Sequence, residues 1–234
     1  MSDSLRILAL DTATTGCSVS LWCGGDVLVH DARDMSRGQA EVLLPMAVEA
    51  LRQAGLTPQD LDAIAITRGP GAFTGLRIGL AAARGLALAL GIPCIGVTTL
   101  EVLAHGVSGE DRHGKIILAA VESKREDLYV QTFDEVLSPL SEPLAADGPG
   151  LAALVGTAEA ILVVGDGGKR AIDMLRGEGI EAQLSPAAAL PDTRIVAALA
   201  ATRFDVHAKA SAPAPLYLRP PDAKMPKNAG RARP

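Results

Sequence analysis

Asp11, Thr12 and Thr14 crowd a carboxylate and two hydroxyls into a few positions directly after an apolar run, residues 6–10. A carboxylate beside hydroxyls at a tight turn can hold a metal-bound phosphate, with backbone N–H groups facing the oxyanion. Asp-Thr turns also form for purely local hydrogen bonding. A second segment, Arg68-Gly69-Pro70-Gly71-Ala72-Phe73-Thr74-Gly75-Leu76-Arg77, feeds a glycine-rich turn into a helix start, where free N–H groups and the dipole attract anions. It has neither a Gly-Lys-Ser/Thr ending nor Gly-x-Gly-x-x-Gly spacing, so it matches neither standard phosphate loop. A third turn, Gly165-Asp166-Gly167-Gly168, can approach a base or ribose, although a plain turn is the simpler reading. With Glu122, at the head of the charged turn 122–127, the nucleotide-binding candidates are Asp11, Thr12, Thr14, Glu122, Gly165, Gly167 and Gly168.

Other chemistries find no support. His30, His105, His113 and His207 are isolated, with no His-x-x-x-His or His-Glu-x-x-His pair for a metal-assisted hydrolase. No Gly-x-Ser-x-Gly elbow is present for a serine hydrolase. Cys17, Cys23 and Cys94 are odd in number and form no Cys-x-x-Cys, which points to buried free thiols and a reducing compartment.

The elements that must position these turns follow from periodicity. Residues 6–10 read as a strand buried on both faces, and 17–23 and 26–31 as two more, the latter pair joined at Gly24-Gly25. Helical spacing runs over 39–54, stopped by Gly55, with Pro45 expected to kink it or break its bonding. Strands at 62–67 and 92–97 flank a second helix, 74–90, and a short helix covers 101–105. The second half repeats the pattern, with strands at 115–121, 128–133 and 160–165 and helices near 169–176 and 192–204. Ile7-Leu8-Ala9 and Ile117-Leu118-Ala119 each open a strand, polar turn, strand unit, a hint of duplication. The order implies a mixed α/β protein.

Helix 74–90 carries the other notable spacing. Gly75, Gly79, Ala83, Ala87 and Gly91 place small residues every four positions, a flat stripe that permits close backbone approach. Leu76, Leu80 and Leu88 run beside it, interrupted by Arg84. The stripe serves either close packing within the fold or contact with another subunit, and spacing does not choose between them.

Composition sets the frame. A chain with 48% hydrophobic and 21% charged residues is neither disordered nor, at a pI near 5.4, mainly basic. One Trp, two Tyr and three Phe are too few for base stacking to be a principal device. The longest apolar run, 74–92, contains Arg77 and Arg84, which argues against a membrane span, and the first six residues lack an export-signal pattern. A cytoplasmic protein without membrane contact is expected. The expected division is a first lobe over 1–106, a second, smaller lobe over 107–218 whose last helix packs back on the first, and a tail over 219–234. That tail sets Arg219, Lys224, Lys227, Arg231 and Arg233 against Asp222 and contains four prolines, and it reads either as a solvated tail or as a basic arm for RNA phosphates.

Taken together, these residues resemble the TsaB (YeaZ) family. The matching stretches are residues 7–20, Leu43-Leu44-Pro45, residues 61–90 with their Gly-Pro-Gly-x-Phe-Thr-Gly-x-Arg core, residues 97–103, Tyr129, and Pro215-Leu216-Tyr217-Leu218-Arg219. The resemblance covers most of 5–219 and is strongest before 105. It implies an actin-like, Hsp70-like, sugar-kinase-like (ASKHA) fold of two βββαβα lobes. It also implies a non-catalytic partner of TsaD, acting with the ATPase TsaE in N6-threonylcarbamoylation of the adenosine 3′ of the anticodon in tRNA. The donor, threonylcarbamoyl-AMP, comes from TsaC-type enzymes.

By the same resemblance, helices 39–54 and 74–90 pack against their counterparts in TsaD, or in a second copy as a homodimer. The implied contact residues are Val42, Leu43, Met46, Gly75, Leu76, Gly79, Leu80, Ala83 and Ala87, preceded by the loop residues Arg68, Gly69, Pro70, Gly71, Phe73, Thr74 and Arg77. TsaD's paired-histidine metal motif has no match on helix 39–54, so no catalytic residue and no metal site are assigned. ATP or ADP and Mg²⁺ enter only with the complex, and tRNA is met through it. Many relatives carry His where Gln39 stands and Asp where Glu122 stands. Two other readings compete: an ATP-binding kinase or ATPase using Asp11, and a glycoprotease-like peptidase, the latter weakened by the missing histidines.

Overall fold

A computed structural model describes residues 4–205 and 212–219. Strand β1 (Arg6–Asp11) lies at the centre of a five-stranded sheet. β2 (Gly16–Cys23) pairs antiparallel with β1, and β3 (Asp26–Asp34) antiparallel with β2. β4 (Ala63–Thr67) and β5 (Cys94–Val97) add parallel strands on the other side, giving the order β3-β2-β1-β4-β5. Helices α1 (Gln39–Ala54) and α2 (Phe73–Leu90) are the crossovers, each ended by a glycine in the left-handed region, Gly55 and Gly91. Parallel neighbours need such crossovers, and the helices then cover the sheet.

After α3 (Thr99–His105) and the single-turn α4 (Gly109–Arg112), the plan repeats. β6 (Ile116–Glu122), β7 (Leu128–Phe133), β8 (Leu144–Ala146), α5 (Gly148–Val155), β9 (Ile161–Val164), α6 (Gly168–Gly177) and β10 (Gln183–Leu184) form a second sheet in the order β8-β7-β6-β9-β10. Its pairings match the first strand for strand: two antiparallel, then two parallel. Ile7–Ala9 and Ile117–Ala119 both sit in the central strand of their sheet, so the short repeat in the sequence marks a real structural duplication. This is the ASKHA architecture.

Alternation along the central strands decides what covers each face. Leu8 and Leu10 pack with Leu43, Met46 and Leu51 of α1 and with Leu80, Ala83 and Ala87 of α2. Ile7 and Ala9 turn the other way, onto Val196, Ala197 and Ala200 of α7 (Thr193–Thr202). In the second sheet, Leu118 and Ala120 meet α5 and α6, while Ile117, Ala119 and Val121 meet Leu100, Leu103 and Ala104 of α3. Each half thus lends its last long helix to the other half's sheet, and α3 and α7 touch between them. Ser20 Oγ fixes this arrangement, lying 2.7 Å from Thr193 Oγ1 and 2.8 Å from His30 Nδ1.

Three expectations change. α1 runs on through Pro45 rather than ending there, and the break expected in its bonding is confined to the one bond that Pro45 cannot donate to the Glu41 carbonyl, both residues being exposed. β3 extends to Asp34, and β5 starts at Cys94, beyond Pro93. The small elements α4, β8, α5 and β10 were not resolved by periodicity, being too short or, like Gly148-Pro149-Gly150, opened by turn residues. Cys17 and Cys94 are buried and Cys23 is half-buried, all as free thiols. α2 is long and apolar enough to cross a membrane, yet here one face lies on the sheet while Arg77 and Arg84 face outward.

Candidate functional site

Asp11 ends β1 and is only 2% exposed. One oxygen, Oδ1, accepts hydrogen bonds from the Thr67 hydroxyl and, at 3.1 Å, from the Ala13 N–H. Burial pushes its pKa from 3.8 to about 6, against the lowering effect of those two donors. Thr12 is equally buried, and its hydroxyl donates to the Gly75 carbonyl at 2.7 Å. Thr12 therefore seats the first turn of α2. An Mg-nucleotide, which the fold family implies, does not fit Asp11 as placed, since the residue is 2% exposed, does not line the cleft, and has Oδ1 taken up by the protein's own donors.

The small-residue stripe explains that seat. A Cβ at Gly75 would lie 2.1 Å from the Thr12 carbonyl oxygen, and one at Gly79 would lie 2.4 Å from Thr12 Oγ1. No substituent is tolerated there without movement. Leu80, Ala83 and Ala87 are buried against the protein's own sheet, as are Leu43 and Met46 on α1; Gly79 meets Thr12 and Ile66, Gly75 the Thr12 carbonyl, Leu76 is buried beside Gly69, and Val42 is half-buried. These residues are core, not contact surface, and the implied interface residues are corrected accordingly. The outward face is a different stripe: Leu44 and Val48 on α1, the latter 65% exposed, with Ala81, Gly85, Leu88 and Ala89 on α2, Leu88 being 85% exposed. Ile78, Ala82 and Leu86 lie half-buried beside it. The sequence did contain the missed signal, because Arg77 and Arg84 fall opposite the small-residue ladder at helical spacing, and charged side chains mark the wet side.

The loop before α2 is a junction. The Arg68 carbonyl accepts from Leu216 N–H at 2.7 Å, Gly69 O accepts from Thr99 N–H at 2.9 Å, and Gly69–Pro70 is a cis peptide. Gly71 packs on Ala13 and Thr74 is exposed. Phe73 and Tyr217 are in ring contact at 5.6 Å, the Arg77 guanidinium lies 3.8 Å over Phe73, and Arg77 Nε donates to the Tyr217 hydroxyl at 3.2 Å.

A cleft of about 1280 Å³ opens between the lobes. Of the nucleotide candidates, Thr14 and Glu122 line it, whereas Asp11, Thr12, Gly165, Gly167 and Gly168 do not. Thr14 is nearly buried, and its hydroxyl has no hydrogen-bond partner among the described residues. The glycines of the third turn give close approach to β6, Gly167 N–H donating to Ala120 O at 3.1 Å. Their neighbour Asp166 does reach the cleft; its carboxylate accepts from Glu122 N–H at 3.0 Å, and burial raises its pKa. Glu122 pairs with Arg170 at 3.2 Å. Gln39, also lining the cleft, donates from Nε2 to Met35 O at 3.2 Å. Among the described residues no group of three or more His, Cys, Asp or Glu side chains converges as metal ligands. The basic tail beyond Arg219 and His207 lie outside the described residues.

Comparison with known proteins agrees with this geometry. The family model described as "TsaD: tRNA N6-adenosine threonylcarbamoyltransferase" matches residues 33–161. The tRNA threonylcarbamoyladenosine biosynthesis protein TsaB of Escherichia coli K12 is 42% identical over 125 residues, 53% of each chain. That of Haemophilus influenzae is 36% identical over 126 residues, 54% of this chain and 52% of the relative. The matched segment thus spans about half the length of these curated relatives. Two solved structures from Pseudomonas aeruginosa, one a protein with similarity to peptidase YeaZ and the other YeaZ, superpose with TM-scores of 0.80 and 0.75. Each is 28% identical, and each alignment covers 92% of this chain and 100% of the other. The chain belongs to the TsaB (YeaZ) family, within the wider group that the TsaD model describes.

Proposed function

We propose that this chain is a non-catalytic subunit in the formation of N6-threonylcarbamoyladenosine in tRNA, a cytoplasmic partner that docks on a TsaD-type catalytic subunit and holds it in its active arrangement. The observation that carries this reading is the exposed aliphatic groups on the outer sides of α1 and α2: Leu44 and Val48 on the one, and on the other Leu88 with Ala81, Gly85 and Ala89, on the side that also carries Arg77 and Arg84. Large exposed aliphatic groups grouped on two adjoining helices are a costly surface for a chain that works alone. Small residues between them let a facing helix pair approach closely. Relatives at 42% and 36% identity carry the name of the tRNA threonylcarbamoyladenosine biosynthesis protein TsaB, which supplies the pathway. The buried Asp11 supports a supporting role rather than phosphoryl transfer.

On this reading TsaE joins the pair, tRNA is met through the assembly, the same face supports a homodimer when TsaD is missing, and ATP or ADP with Mg²⁺ acts in the complex. Reconstitution tests it: tRNA modification is measured with TsaC, TsaD and TsaE, with and without this chain. The expected result is modification that depends on the chain and is lost, together with co-elution with TsaD, in the Leu88→Glu variant. Equal modification without the chain, or unchanged co-elution of Leu88→Glu, overturns the proposal.

A further inference from the structure

We infer that residues 216–219 form a latch across the mouth of the interlobe cleft, closed by the Arg219–Asp127 ion pair. The lobes are joined at the back through α3 and α7, which sit between the two sheets. The segment 212–219 crosses at the front, and Leu216, Tyr217, Leu218 and Arg219 supply one wall of the cleft.

Its hold on the first lobe is firm and built for it. Leu216 N–H donates to Arg68 O at 2.7 Å, and Tyr217 is held by Phe73 and Arg77 at the start of α2. Upstream, Gly96 makes room, since a Cβ there would lie 2.7 Å from that of Pro213. Its hold on the second lobe is of another kind. The Arg219 guanidinium meets the Asp127 carboxylate, the side chains being 33% and 14% exposed. Asp127 is itself fixed: its Oδ1 accepts from Ser123 Oγ at 2.7 Å, and Arg170 of α6 donates to the carbonyls of Arg125 and Asp127. Thus a rigid receptor on one lobe receives a single charged side chain carried by the other. A half-wet ion pair is weak enough to open and sensitive to screening, whereas the backbone and aromatic anchor is not. The asymmetry makes the ion pair the releasing element and the first lobe the part that keeps the strap. This inference concerns the chain alone and does not rest on the proposed partner.

The test is a distance measurement across the cleft on the full chain. Spin labels are placed at Ala40→Cys and Glu126→Cys, both exposed positions on opposite lobes, in a Cys23→Ser background. With Arg219 intact the expected distribution is dominated by one short distance. Arg219→Glu adds a longer population and Arg219→Lys keeps the short one. Molar salt shifts the parent protein toward the longer distance, whereas in Arg219→Glu it screens a repulsion and produces no such shift. An Arg219→Glu distribution identical to the parent's, or an equal salt response in both, overturns the latch. Arg219→Lys, which keeps the charge beside the Ser123–Asp127–Arg170 network, separates loss of the ion pair from a misfolded hairpin.

Discussion

The hydroxyl of Thr12 donates to the carbonyl oxygen of Gly75 at 2.7 Å, and through this bond the turn after β1 is locked to the first turn of α2. The contact is side chain to backbone across 63 positions of sequence, and it requires that α2 approach the turn with no Cβ in between. A stripe suited in principle to a foreign helix is thereby used to bring the protein's own helix onto its own sheet. The surface left exposed is the opposite stripe.

Gly75→Ala and Gly79→Leu are expected to destabilise the fold, not merely to weaken an assembly. Each added group enters space already held by Thr12, and overpacking of this kind costs about 1–3 kcal/mol per site. Urea denaturation of the isolated chain checks it: a lowered midpoint is expected for each variant. A Gly79→Leu protein as stable as its parent would mean that α2 does not sit where it is described.

Gly85 lies on the same helix with the opposite prediction. A Cβ there meets nothing within 4 Å, and the residue is exposed in mid-helix. Gly85→Ala should therefore raise stability by about 0.5–1 kcal/mol through backbone entropy and helix propensity. Gly85→Trp should remain folded but lose co-elution with TsaD, because the bulky ring stands between Ala81, Leu88 and Ala89. Retained co-elution of a folded Gly85→Trp places the docking face elsewhere.

The fold was legible where burial imposes a period. Ile7–Leu10 and Ile117–Val121 alternate between two covered faces, so their apolar runs identified central strands and the duplication between them. The site was less legible because a helix ladder reports close approach without its direction. Gly75 and Gly79 satisfy the pattern equally well against Thr12 or against a second subunit. The arginines at 77 and 84 fix the direction, once read together with the ladder. The strap was invisible for a further reason: Tyr217 and Arg219 find Phe73, Arg77 and Asp127 only in three dimensions, and no local periodicity connects them.

Pro45 offers a check on how α1 tolerates a missing donor. Proline inside a helix removes one hydrogen bond and crowds the preceding turn, at about 3 kcal/mol in a free helix interior. Here the residue is exposed, and the uncompensated carbonyl of Glu41 is on the wet side. Pro45→Ala should raise the thermal midpoint without altering the helix content seen by circular dichroism. A lowered midpoint would mean that the ring's own packing outweighs the lost bond.

Asp11 should make stability depend on pH in a defined window. Its folded-state pKa is raised, from 3.8 to about 6, chiefly by burial. The folded chain therefore holds this proton where the unfolded chain has released it. Stability from this group is present in full below about pH 4 and is lost as pH rises to about 6, by at most roughly 3 kcal/mol. Asp11→Asn keeps an oxygen able to accept from Thr67 and Ala13 but cannot ionise. Relative to the parent, its stability should climb between these two pH values and then level off. Urea midpoints collected across that range check the sign, and parallel profiles for the two proteins would show that the Asp11 carboxylate is not confined as its burial requires.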